Sequence, residues 1–133
     1  MVRRNYTQNT QYLNRDTVRL EGRFLANGGS AIAQNATNII GNGFTVTRAG
    51  TGLYTITFCD KFVALVAFKA TPHIATADVR IPQVAAINLA SKTIQVRTVD
   101  ETGTAADLAA NDGLSFEAVF WNTQQKPTFG LGV

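Results

Sequence analysis

The residues able to carry acid–base or nucleophilic chemistry are few. Histidine occurs once, as His73 directly after Pro72. A serine nucleophile would have to recruit that imidazole from Ser30, Ser91 or Ser115, and none of the three lies in a Gly-x-Ser-x-Gly elbow. A lone histidine of this kind reads as structural or merely exposed. Cys59 is also single; it would be a nucleophile only beside a base in an electropositive setting, and directly after a strand end it reads as a small packed residue. One Cys and one His make no zinc site without carboxylates from distant segments. Of the nine acids, Asp100, Glu101, Asp107 and Asp112 share one loop that could hold calcium, but they lack EF-hand spacing. Any two carboxylates could meet as a glycosidase pair, and the pattern singles out none. Gly41-Asn-Gly43 and Gly50-Thr-Gly52 extend to neither a dinucleotide nor a P-loop fingerprint and read as hairpin turns. The expectation is a protein without catalytic residues, metal or cofactor, and not an enzyme.

The elements that would position any site are strands. From Val18 the period is two, with Val18, Leu20 and Phe24 on one face and Arg19, Glu21 and Arg23 on the other. A short strand follows around Thr37 to Ile40. Residues 44–58 form the clearest hairpin: Phe44 and Val46 point inward, Gly50 and Gly52 turn the chain, and Tyr54, Ile56 and Phe58 return inward. Phe62 to Ala70 is apolar on both faces and is expected as a central strand buried on both sides, stopped by Pro72 and in need of cover. Val79 to Ile81 and Val84 to Leu89 are weaker strands around Pro82, which suits an edge or a bulge. Lys92 to Val99 alternates again. Asp100 to Gly113 is a long loop with room for a turn of helix at Ala105 to Ala110, and Leu114 to Trp121 is the last full strand, with Leu114, Phe116, Ala118 and Phe120 on one side. Residues 127–133 read as extended. The fold class is all-β: a jelly-roll-like β-sandwich of eight to ten short antiparallel strands over residues 17–133. Val119 and Trp121 lie opposite the phenylalanine face of the last strand, either at a subunit contact or under a second sheet of the same sandwich.

Charge and length narrow the classes further. The chain has 133 residues, one domain's worth, and only 16% are charged, against about 25% on average. Its net charge of +3 is local: residues 1–23 hold five arginines against Asp16 and Glu21, and the rest balances. Residues 1–16 show neither period and read as an extended arm. That arm is either a frayed terminus or a tether, with Tyr6, Tyr12 and Leu13 as anchors and Arg3, Arg4 and Arg15 seeking acidic groups. Basic residues elsewhere are scattered and not interleaved with aromatics, so no nucleic-acid partner is expected despite an isoelectric point near 9.4. The longest apolar run, Phe62 to Phe68, is far short of the ~20 residues of a membrane helix, and no secretory signal is visible, so synthesis in a cytoplasm and no membrane partner are expected.

Two stretches carry a resemblance. Gly43 to Phe58, with its Gly-x-Tyr-x-x-x-Phe strand, resembles the hairpin of small virion proteins of tailed bacteriophages, and more faintly the jelly rolls of the C1q and tumour-necrosis-factor group. Asp100 to Asp112, followed by Leu114 to Asn122, resembles the closing loop and strand of the same phage proteins. The resemblance implies a non-enzymatic structural module, usually a homotrimer, serving as capsid cement (decoration) protein or in a head or tail fibre. The first role makes the major capsid protein and further copies of the chain its partners, and places it on the exterior of the virion. The alternative is a receptor-binding module recognising host surface glycans, with a shallow aromatic and polar site near Tyr54 or Trp121.

Overall fold

A computed structural model describes residues 17–75 and 78–121. The described residues form eight strands: β1 (Thr17–Leu25), β2 (Ile39–Ile40), β3 (Phe44–Gly50), β4 (Leu53–Phe58), β5 (Ala64–His73), β6 (Ile81–Asn88), β7 (Thr93–Val99) and β8 (Gly113–Trp121). They pair as two antiparallel four-stranded sheets, in the orders β2-β1-β8-β5 and β3-β4-β7-β6. First pairs with last, β1 with β8, and inside that pair β4 joins β7 while β5 and β6 end the two sheets on the same side. This nested winding makes the sandwich jelly-roll-like.

Alternation decides which side chains meet between the sheets. Along β8 the residues Leu114, Phe116, Ala118 and Phe120 are all buried, and β3, β4 and β7 send Phe44, Val46, Tyr54, Ile56, Phe58, Ile94 and Val96 against them. The core is aromatic, and its rings meet mostly edge to face: Phe58 and Phe120 centroids are 5.0 Å apart at 76°, Phe44 and Phe116 4.8 Å at 82°. Phe62, before β5, stacks on Phe120 at 4.3 Å. The long connection from β1 to β2 is tied down by Gln34, whose Nε2 donates to Val46 O at 2.6 Å and Ile32 O at 2.9 Å, and Ile32 is buried with the core.

Four expectations are corrected. Residues 62–70 do not form a central strand buried on both sides; β5 is the edge of its sheet, and Val66 is 53% exposed as the extra residue of a bulge between Leu65 and Ala67. Pro72 does not stop β5 but lies within it, as an edge permits, because an edge residue has one side without ladder hydrogen bonds. The two weak strands around Pro82 are one, β6, with its own bulge between Val84 and Ala86. The loop after β7 forms no helical turn at Ala105 to Ala110, and no helix occurs among the described residues. Its backbone instead crosses the β3–β4 turn: Ala106 N–H donates to Thr98 O at 3.0 Å, and Thr98 N–H to Gly52 O at 2.7 Å. The sequence expectations on residues 1–16 and 127–133 lie outside the described residues.

Two glycines set how closely these parts approach. Gly52 has φ +63°, and a Cβ there would lie 2.5 Å from Thr98 O and 2.8 Å from Ala106 N, both backbone atoms. Gly22 on β1 lies under the Phe44 ring, where a Cβ would come 2.3 Å from ring carbons. Gly52→Ala therefore adds backbone strain to a clash with fixed atoms and should cost at least about 2 kcal/mol. Gly50→Ala, with nothing within 4 Å, serves as the control. Urea denaturation of the two variants measures the difference; equal stabilities would contradict the packing of loop on turn.

Candidate functional site

The loop from Asp100 to Asp112 divides its acids among separate structural duties. Asp100 accepts Thr102 N–H, Thr104 N–H and Thr102 Oγ1–H at 2.9, 3.0 and 2.7 Å, and these bonds, led by the Thr102 hydroxyl, hold its carboxyl below the ordinary value. Asp112 accepts Ala75 N–H at 3.1 Å. Asp107 takes the Arg48 guanidinium by two bonds, Nε to Oδ1 at 3.0 Å and Nη2 to Oδ2 at 2.9 Å, and also accepts Gly52 N–H at 2.8 Å. Arg80 Nε donates to the Asp107 carbonyl at 2.9 Å. Three of the four acids that could have shared a calcium ion are thus engaged separately, and no group of three metal-binding side chains occurs among the described residues. Next to this loop, the buried Tyr54 hydroxyl accepts Leu108 N–H at 2.9 Å; burial pushes its phenol up, against the pull of that N–H.

Cys59 is exposed rather than packed, because alternation carries the residue after Phe58 outward. His73 and Ser115 do meet: Nε2 and Oγ are 2.5 Å apart across β5 and β8. No carboxylate bonds the imidazole among the described residues, so the pair lacks the third member that orients a base. Val119 and Trp121 lie on the outer face of the β2-β1-β8-β5 sheet, half-buried, paired with Arg19 and Ala67 and with Thr17 and Ala64. The second sheet covers the opposite face of β8, so the sandwich's own partner sheet is not what buries them. Arg3, Arg4, Tyr6, Tyr12, Leu13 and Arg15 lie outside the described residues.

Two surfaces remain for a functional role. The first is the side of the sandwich closed by β5 and β6. Register places Val84 beside Val96 and Ile87 beside Ile94, and both partners on β7 are fully buried. Yet Val84 is 42% and Ile87 51% exposed. Their side chains point toward the interior and stay half exposed among the described residues. A cavity of about 200 Å³ opens between the edges, lined by Phe68, Ala70, Pro82 and Val84 among others. Ile81 on β6 and Val66 on β5 are also exposed, at 46% and 53%. Comparison of the chain with family models, with curated proteins and with solved structures returns no match. The surfaces themselves therefore carry the functional reading.

The second surface is a shallow trough of about 570 Å³ on the outer face of β1, β8 and β5, lined by Glu21, Arg23, Ile40, Lys69, Ser115 and Glu117 among others. Arg19 reaches Glu117 there at 3.7 Å while 65% exposed, a contact worth little. The sequence reading missed both surfaces. The edge had a signal, since Ile81 to Ser91 is eleven residues without a charge, against the usual practice of placing charges on an open edge.

The Asp107 contacts have a pH signature. Burial alone raises this carboxyl, but the Arg48 hydrogen bond, the Gly52 N–H and the charges of Arg48 and Arg80 overcome it, so its value lies below the ordinary 3.8. The contribution is fully present above that unfolded-chain value and is lost as pH falls through the lower native one. Thermal melts should show stability falling below about pH 4. Asp107→Asn should melt about 5 °C or more lower at pH 7 and lose less on acidification than the parent chain. Parallel acid profiles for the two proteins would refute this assignment.

Proposed function

We propose that the chain is a virion structural protein of a tailed bacteriophage, a capsid cement (decoration) protein that binds the major capsid protein lattice from outside and stabilises the head as a homotrimer. The observation that carries this reading is the β5/β6 edge, where inward-facing valine and isoleucine side chains stay half exposed along an uncharged strand. An open apolar edge of that kind invites strand pairing and aggregation unless another chain covers it. A second copy of the same chain supplies an equally apolar surface, and covering Val66, Ile81, Val84 and Ile87 would contribute about 1 kcal/mol per side chain. The resemblance of residues 43–58 and 94–122 to small phage virion proteins supports the same class. A structural role also suits a domain with few charges, whose Asp107, Asp112 and single histidine make hydrogen bonds that tie one strand or loop to the next.

Two measurements test the reading. Light scattering on the purified chain should give a trimer, and Val84→Glu/Ile87→Lys should give a folded monomer with an unchanged circular dichroism spectrum. A parent chain that is monomeric at micromolar concentration would overturn the role of the edge. In purified particles the chain should be present in hundreds of copies on the head, and deletion of residues 1–16 should leave a folded oligomer that no longer binds capsids. A few copies at a vertex or tail would indicate a fibre instead, and undiminished capsid binding would remove the arm from the mechanism.

A further inference from the structure

The outer-face trough contains a cation for which no ion pair occurs among the described residues. Arg23 is half-buried on β1, and its Nε–H is out of contact with solvent and donates to no acceptor among the described residues. The guanidinium lies across the backbone of Gly113, where a Cβ would come within 3.0 Å of Nε and 3.2 Å of Nη2. Glycine at that position is what lets the side chain lie flat there. Ser115 is the cross-strand neighbour of Arg23, and His73 that of Gly113; their side chains bond each other at 2.5 Å. A guanidinium, a hydroxyl and an imidazole are thus gathered around one bare stretch of β8. One rung further along, Lys69, Glu117 and Glu21 stand side by side across β5, β8 and β1. Ile40, 43% exposed, forms an apolar wall.

We propose that this trough binds an acidic sugar, with its carboxylate on Arg23 and its hydroxyls on Ser115, Glu21 and Glu117. The Arg23 guanidinium lines the trough and calls for an oxyanion, and a planar carboxylate can take its two Nη groups by two parallel bonds. The two glutamates choose among anions. They would repel a dianionic phosphate, whereas they accept hydrogen bonds from the hydroxyls of a sugar ring. Ile40 offers an apolar surface for the ring's C–H face. The volume of about 570 Å³ lies within the range of small-molecule sites, about 300–1,000 Å³. The site uses none of Val66, Ile81, Val84 and Ile87, so it stands or falls independently of the capsid reading.

The test is a titration of the isotope-labelled full chain followed by its amide resonances, with sodium glucuronate and N-acetylneuraminate as probes and glucose and inorganic phosphate as controls at equal ionic strength. At least one acidic sugar should shift the amides of Arg23, Gly113 and Ser115 with a dissociation constant on the order of millimolar. Glucose and phosphate should bind at least about tenfold more weakly. Arg23→Gln should lose at least about tenfold in affinity while keeping a dispersed spectrum. Ser115→Ala is a second variant should the first fail to fold, and a weakened affinity is expected there too. The proposal is overturned by the absence of shifts up to about 50 mM of both acidic sugars, by equal or tighter binding of phosphate or glucose, by shifts confined to another surface, or by unchanged affinity in the folded variant.

Discussion

Three rings from two sheets, Phe58 from β4 and Phe116 and Phe120 from β8, are the contact on which the rest of the sandwich depends. Phe58 meets Phe120 at 5.0 Å and Phe116 at 6.4 Å, both nearly edge to face, and Phe44, Phe62 and Phe68 pack around the same pair on β8. Edge-to-face packing fixes direction as well as distance, because a ring's positive rim must meet a neighbour's negative face. Once β8 is held in that way it can be central to its sheet, with β1 on one side and β5 on the other. The alternation of β8 then sends Ser115, Glu117, Val119 and Trp121 outward, which is how a core requirement lays out the exposed trough.

The same alternation explains what the fold cannot cover for itself. The jelly-roll winding brings β5 and β6 to the same side, where each has only one neighbour in its sheet. Bulges at Val66 and after Val84 twist both strands locally. A bulge adds a residue that no partner opposes, so apolar side chains are displaced from the interior at the place where closure would be needed. The opposite end is closed by polar means: the Asp107 carboxylate gathers Arg48 and the Gly52 N–H, and its carbonyl takes Arg80, so loop, turn and chain before β6 are bound at one residue. One end of this sandwich is sealed by hydrogen bonds within the chain, and one side is left open among the described residues.

Residue alternation made much of this legible beforehand. The hairpin of residues 44–58, the inward set of Leu114, Phe116, Ala118 and Phe120, and the all-β class all follow from period two with glycine turns, because those signals are local and each strand carries its own. Edge or centre is a different kind of property. Phe62 to Ala70 reads as a strand buried on both sides from its apolar content, but how many neighbours a strand has depends on the order of the sheet, which no window of nine residues contains. The acids of the 100–112 loop were visible as a cluster in sequence, and the backbone spread them by turning Asp100, Asp107 and Asp112 toward different N–H groups and a guanidinium.

The sequence by itself therefore determined the strands, their inward faces and the absence of any familiar catalytic motif, since these rest on side-chain types at short spacing. Only the tertiary structure decided that His73 and Ser115 would touch across 42 residues, that Arg23 would lie over Gly113 with its Nε unpartnered among the described residues, and that Val84 and Ile87 would face inward yet stay half exposed there. Each of these is a consequence of register and sheet order. Those are set by how the whole core closes, through contacts between residues far apart in the chain, and a local pattern carries no record of them.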